Sequence, residues 1–259
     1  KIRDLSSHIP DINGDSINSE SLKKIGAINL STLPIVSNDT RLGACVGNVG
    51  KFLCIGLNYS DHAAESGLPV PSEPILFSKA TSAIVGPNDN VEIPRNSSET
   101  DWEVELGIII GKKAKYINEN EAEEYIAGYC VVNDVSERAF QIKREGQWTK
   151  GKSCDTFGPT GPYLVTKDEI PDVQNLKMYL DVNGKRMQDG STNTMIFSAK
   201  HIVYYLSQFM SLNPGDVIAT GTPPGVGLGM KPPVFLNAGD TMKLGIEGLG
   251  EQNQICIQG

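Results

Sequence analysis

Two glutamates one residue apart, Glu103 and Glu105 in Asp101-Trp102-Glu103-Val104-Glu105-Leu106-Gly107, are spaced to bring two carboxylates onto one metal ion. The stretch runs into Ile108-Ile109-Ile110 and predicts a strand over Trp102–Gly111. Side chains alternate along a strand, so Glu103 and Glu105 share one face from Cα atoms roughly 7 Å apart, opposite Trp102, Val104 and Leu106. Carboxylates so placed can converge on Mg²⁺, which takes oxygen ligands at about 2.1 Å and keeps several waters. Mn²⁺ accepts the same donors. Taken alone, the segment is more simply a half-buried strand with a solvated acidic face, as antiparallel sheets routinely have.

Asp134 follows the apolar run Tyr129-Cys130-Val131-Val132-Asn133, where a carboxylate could meet ligands from a neighbouring strand; an Asn-Asp turn is the simpler local reading. His62 and Glu65 lie three apart in Asn58-Tyr59-Ser60-Asp61-His62-Ala63-Ala64-Glu65. On a helical turn they share a face. A carboxylate that orients an imidazole makes a general base for water, although exposed pairs of this kind are common. The only other histidines are His8 and His201, and no His or Cys spacing suits zinc. Gly146–Ser153 fits the phosphate-loop expression G-x-x-x-x-G-K-[ST]. That loop needs a strand before it and a helix after it. Here Glu137–Glu145 is charged and helix-like, and Cys154–Pro162 is broken by Gly and Pro, so no nucleotide site is expected. Thr220–Gly229 is glycine-rich but lacks dinucleotide-binding spacing.

The elements that must position these groups are mostly strands. Short apolar runs punctuated by Gly and Pro predict strands at Lys51–Leu57, Ile75–Ser78, Tyr129–Asn133, Tyr163–Thr166, Lys177–Val182, Asp216–Thr220 and Met242–Glu247. Asn183-Gly184 reads as a hairpin turn. Helices are expected at Asn120–Ala127 and at Ser198–Phe209, the latter with Ser198 as N-cap. There are no repeats and no βαβ alternation, so the fold class is predominantly β with a few helices (α+β). The 259 residues suffice for one large domain with a small appendage. Residues 1–48, polar and weakly periodic, are expected to form a small N-terminal subdomain, and residues 49–259 the catalytic body. The chain opens at Lys1 without Met, and residues preceding it are expected.

A net charge of −8 and no basic cluster argue against a nucleic-acid surface. Five widely spaced cysteines without C-x-x-C point to a reducing compartment. No apolar run spans a membrane. A cytoplasmic location is the expectation.

A set of motifs stands in order from Lys51 to Gly259: Cys54-Ile55-Gly56-Leu57-Asn58-Tyr59 with His62-Ala63-Ala64-Glu65, Phe77-Ser78-Lys79, Glu103-Val104-Glu105-Leu106-Gly107 and Asn133-Asp134-Val135-Ser136-Glu137-Arg138. Lys152–Pro159, Asn183-Gly184, Gln188, Thr192, Met195-Ile196-Phe197 and Gly221–Gly227 complete it. In this order the motifs resemble the fumarylacetoacetate hydrolase superfamily. The resemblance implies a mixed β-sandwich roll, usually a homodimer. It implies that Glu103, Glu105 and Asp134 bind the metal, that His62 and Glu65 activate water from a lid, and that Lys152 stands beside the metal. Thr222 would meet the substrate carboxylate, with Arg138 and Gln188 as further substrate contacts.

The activity so implied is hydrolysis of a small dicarbonyl acid, a 2,4-dioxo acid (acylpyruvate), at its C3–C4 bond. Val132–Pro159 with Met187–Thr192 looks most like the branch that cleaves 2,4-diketo-3-deoxy-rhamnonate or -fuconate to pyruvate and lactate. Oxaloacetate decarboxylation and ureidoglycolate cleavage are the alternatives on the same metal site, and a metal-dependent binder without activity is the remaining class.

Overall fold

The computed structural model describes residues 1–259, the side chain of Ser66 excepted. Two sheets carry the fold. The first has six strands in the order Val165–Thr166, Ile126–Asn133, Val104–Ile110, Val217–Ala219, Phe52–Gly56, Ile75–Lys79. Its neighbours are antiparallel except Phe52–Gly56 beside Val217–Ala219. The second has five strands in the order Lys185–Ser191, Lys177–Val182, Thr241–Ile246, Gly250–Gln258, Val91–Ile93. The fold is predominantly β, as expected.

The main core lies on the face of the first sheet bearing Val104, Leu106, Ile108 and Ile110, where Met178, Leu180, Met242 and Leu244 of the second sheet meet it. Burial on this scale, at about 25 cal/mol per Å² of apolar surface, is what holds the sheets together. The opposite face of the first sheet carries Cys54, Ile109, Cys130, Val132 and Val217, covered by Ile17 and Val46 from the N-terminal residues. Glu103 and Glu105 belong to this second face. They are 6% and 2% exposed, which rules out the solvated acidic strand.

Several expectations need correction. Asn120–Ala127 is a 3-10 helix over Glu119–Tyr125, and Ile126 then starts a strand because it pairs with Ile110. Lys185–Ser191 and the long Gly250–Gln258 strand were not expected; the first is a charged edge and the second points glutamines inward. The strand expected over Trp102–Gly111 is regular over Val104–Ile110. Asn183-Gly184 does turn a hairpin, with φ of 51° and 75°. Ala199–Ser207 is helical, and Ser198 caps it by accepting the His201 N–H.

The helix Ser60–Ser66 hangs on Asn58. The buried Asn58 amide donates to Thr220 O at 2.8 Å and Phe197 O at 3.0 Å, and its carbonyl accepts the Phe197 N–H at 2.8 Å. Asn58→Ala leaves those groups unpaired in the interior. A loss of about 2–3 kcal/mol in chemical denaturation is expected.

Candidate active site

The acidic trio follows from strand pairing. In the antiparallel ladder Val104 faces Asn133 and Glu105 faces Val132. The ladder runs one step further, with Asp134 N–H donating to Glu103 O at 2.9 Å. Opposed residues share a face with Cβ atoms about 5 Å apart. Asp134 is thereby brought over Glu103, and Glu105 lies on the same side two residues on. One oxygen from each lies within 4.8 Å of the other two.

Cations surround two of the three. Lys152 Nζ lies 2.6 Å from Glu103 Oε2 and 2.7 Å from Asp134 Oδ2. Lys79 Nζ lies 2.5 Å from Asp134 Oδ1 and donates to Val135 O. Arg138 spans Glu103 at 2.7 Å and Asp101 at 2.9 Å. Burial pushes the Glu103 carboxyl up, but Arg138 and Lys152 outweigh it and hold the group well below the usual range. Burial likewise pulls Lys152 down, and Asp134 and Glu103 more than reverse this, so the ammonium stays charged. Glu105 has no such partner among the described residues. Its Oε2 accepts only the Gly221 N–H at 2.7 Å. Burial, and then the charges of Asp134 and Glu103, push its carboxyl well up.

Four buried carboxylates, Asp101 included, thus face three cations, Lys79, Arg138 and Lys152. An all-oxygen donor set with one negative charge in excess fits a hard divalent cation.

His62 and Glu65 lie on the helix Ser60–Ser66, which ends at Gly67 in the left-handed conformation. His62 Nδ1 meets Glu65 Oε2 at 3.1 Å. A carboxylate on Nδ1 fixes the proton there, so Nε2 is the basic nitrogen. The Glu65 carboxylate also accepts the Gly225 N–H at 3.1 Å, tying this helix to the loop that carries Thr222. The dyad, the two glutamates, Arg138, Lys152 and Thr222 line one cavity of about 520 Å³, within the ordinary range of ligand sites.

A model of the fumarylacetoacetate (FAA) hydrolase C-terminal domain matches residues 51–255. The chain belongs to the fumarylacetoacetate hydrolase family. A Burkholderia cenocepacia relative named only in general terms as a hydrolase is 61% identical over 255 residues, 98% of this chain and 90% of the relative. Among solved structures, a fumarylacetoacetate hydrolase from Exiguobacterium antarcticum superposes with a TM-score of 0.88 at 36% identity, over 99% of this chain and 92% of the other. A 2-hydroxyhepta-2,4-diene-1,7-dioate isomerase from Mycobacterium marinum gives 0.74 at 37% identity, over 88% and 83%. The family fold therefore serves both hydrolases and isomerases.

In this family member Gln188, expected as a substrate contact, is buried and is not among the residues that line the cavity. Its carbonyl accepts Val104 N–H at 2.9 Å, and its amide donates to Thr222 Oγ1 and Pro223 O, both at 2.8 Å. Gln188 is a positioning residue for the Thr222 loop. Thr222 lines the cavity, but its hydroxyl donates to Val104 O at 2.9 Å. Arg138 lines it too, engaged with Glu103 and Asp101.

Sequence reasoning gave no role to Lys79 or Asp101. Asp101 accepts the Gly227 and Leu228 N–H groups and pairs with Arg138, so it fastens the loop to the strand. A lysine at the end of an apolar strand, as in Phe77-Ser78-Lys79, was the available signal for the first. The phosphate-loop match is void as expected. Thr149–Lys152 is a single turn that delivers Lys152 to the carboxylates, with no helix over residues 154–162.

Proposed function

We propose that the chain hydrolyses 2,4-dioxo acids at C3–C4 to pyruvate and a second carboxylic acid, with Mg²⁺ or Mn²⁺ held by Glu103, Glu105 and Asp134. The observation that carries this reading is that the His62–Glu65 dyad opens into the same cavity as Glu103 and Glu105, with the buried Asp134 carboxylate beside them. When bound, the cation supplies Lewis-acid polarisation and stabilises negative charge on substrate oxygens.

The chain's own groups then divide the work. His62 Nε2 takes a proton from water as the oxygen adds to C4, and Glu65 stabilises the imidazolium. Collapse of the tetrahedral carbon breaks C3–C4 and releases pyruvate as its enolate, which takes a proton at C3 as the imidazolium returns to neutral imidazole. Lys152, held charged by its neighbours, meets the developing negative charge without giving up its own proton. Helix Ser60–Ser66 excludes bulk water while substrate is held.

The narrower sugar-acid assignment rests on sequence likeness and needs a cavity-wall partner for the one hydroxyl of the lactoyl half. Oxaloacetate decarboxylation needs no activated water, so the dyad favours hydrolysis. Ureidoglycolate cleavage breaks a different bond and releases no pyruvate. A homodimer and a cytoplasmic location stay part of the proposal; among the described residues no helix is long and apolar enough to cross a membrane.

Pyruvate release from acetylpyruvate is the test, with the protein stripped by chelator and then resupplied with Mg²⁺ or Mn²⁺. Stripping is expected to lower the rate by on the order of 100-fold or more, and the metal to restore it. Full activity after stripping, or no pyruvate from any acylpyruvate, would refute the reading.

A further inference from the structure

A second cavity lies away from the catalytic groups. It measures about 370 Å³ and shares no lining residue with the first. Its walls include Glu123, Tyr129, Lys167, Ser198 and Lys200.

Tyr129 points to a ligand here. It stands on the strand Ile126–Asn133 and is 3% exposed. Among the described residues no group hydrogen-bonds its hydroxyl, and no buried side-chain oxygen is left orphaned within packed protein. The hydroxyl must therefore open into the cavity. Burial, and then the charge of Glu123, push the phenol well up, which keeps it a neutral donor. Buried hydroxyls are normally paired, and the partner for this one has to come from what fills the cavity.

The helix Ala199–Ser207 begins at the same cavity, with Ser198 as its cap. The Ala199 N–H donates to Gln174 Oε1 at 2.8 Å, and the His201 N–H to Ser198 Oγ at 3.2 Å. Between them the Lys200 N–H has no acceptor among the described residues. Free N–H groups and the partial positive charge of a helix N-terminus favour an anion.

The charges on the wall leave one cation over. Lys200 Nζ is paired with Glu123 Oε2 at 2.7 Å, and the Asp172 carboxylate accepts the Gln174 N–H at 3.0 Å. Lys167 Nζ donates to the Glu123 backbone carbonyl at 2.5 Å and, among the described residues, meets no carboxylate.

We infer that this cavity binds a small organic oxyanion. The Tyr129 hydroxyl, the Lys167 ammonium and the Lys200 N–H meet its carboxylate or phosphate end, and its carbon part lies on Ile170, Pro171 and Val173. The inference is independent of the hydrolase reading, because no catalytic group lines this cavity.

Calorimetric titration of the Mg²⁺-loaded protein with inorganic phosphate and, separately, with butyrate at constant ionic strength is the test. Saturable binding of at least one is expected, and the tighter of the two identifies the anion class. Tyr129→Phe keeps the ring, removes the hydroxyl alone and should weaken binding by about 5-fold or more. Lys167→Met should weaken it by about 10-fold or more. Glu105→Gln, which disables the proposed metal site, should leave it unchanged. No saturable binding of either anion, binding that vanishes with Glu105→Gln, or binding unmoved in both Tyr129→Phe and Lys167→Met would overturn the inference.

Discussion

Glu105→Gln should give a protein that melts higher without metal and has lost its turnover. Glu105 is the one member of the trio with no protein cation against it, and burial beside Asp134 and Glu103 makes its negative charge costly. Glutamine keeps the shape and an acceptor for the Gly221 N–H while removing that charge. A gain of about 1 kcal/mol would raise the melting temperature by roughly 2–4 °C for a chain of this size. Glu103→Ala should do the opposite. It strips Arg138 and Lys152 of a shared buried anion, and breaking such pairs costs about 3–5 kcal/mol.

The Glu105 carboxyl binds its proton more tightly in the folded chain, so stability without metal should fall as pH rises above the ordinary glutamate value of 4.5. Glutamine should remove that slope. Thermal melts in chelator across pH, with calorimetric Mg²⁺ titration of each variant, provide the readout. Wild-type Mg²⁺ affinity in Glu105→Gln would take Glu105 out of the metal site.

The second large effect separates two reactions on one site. His62→Ala is expected to slow acylpyruvate hydrolysis by about 10²–10⁴-fold, the usual value of a positioned general base. Any oxaloacetate decarboxylation should persist within a few-fold, since it uses no activated water and leaves the trio, Lys79 and Lys152 intact. The two rates can be read on one preparation through pyruvate release. Equal losses in both would mean that His62 places the substrate or closes the helix and does not act as the base.

Alternation along a strand put Glu103 and Glu105 on one face, but a wet acidic strand and an Asn-Asp turn were the simpler local readings, and only the family resemblance joined Asp134 to the two glutamates. Helical spacing likewise put His62 and Glu65 on one face, and the resemblance supplied their reading as a dyad. Lys79 and Asp101 were not legible, since their importance depends on which strands and loops meet across the fold. Gly250–Gln258 was missed because it buries polar residues. Gln252 and Gln254 point inward and donate to Val131 O, Gly161 O and Pro87 O, so the strand lacks the apolar alternation that marks the others. Gln188 carried a family role, and only the placed loop shows its amide to be spent on Thr222 and Pro223. The cavity wall was invisible in the same way, assembled from residues as far apart as Leu57 and Trp148.

The two halves of the site are mounted on elements of very different persistence. Glu103 and Glu105 flank Val104 at the head of a strand buried on both faces. His62 and Glu65 ride on one short helix, tied across the cavity by the contact of Glu65 with Gly225. Backbone protons along Leu106–Ile109 should exchange with deuterium only when the whole molecule opens, and those of Ala63–Glu65 whenever that single helix lifts. On the proposed hydrolase reading, the base would then depart and return many times within the lifetime of one intact metal site.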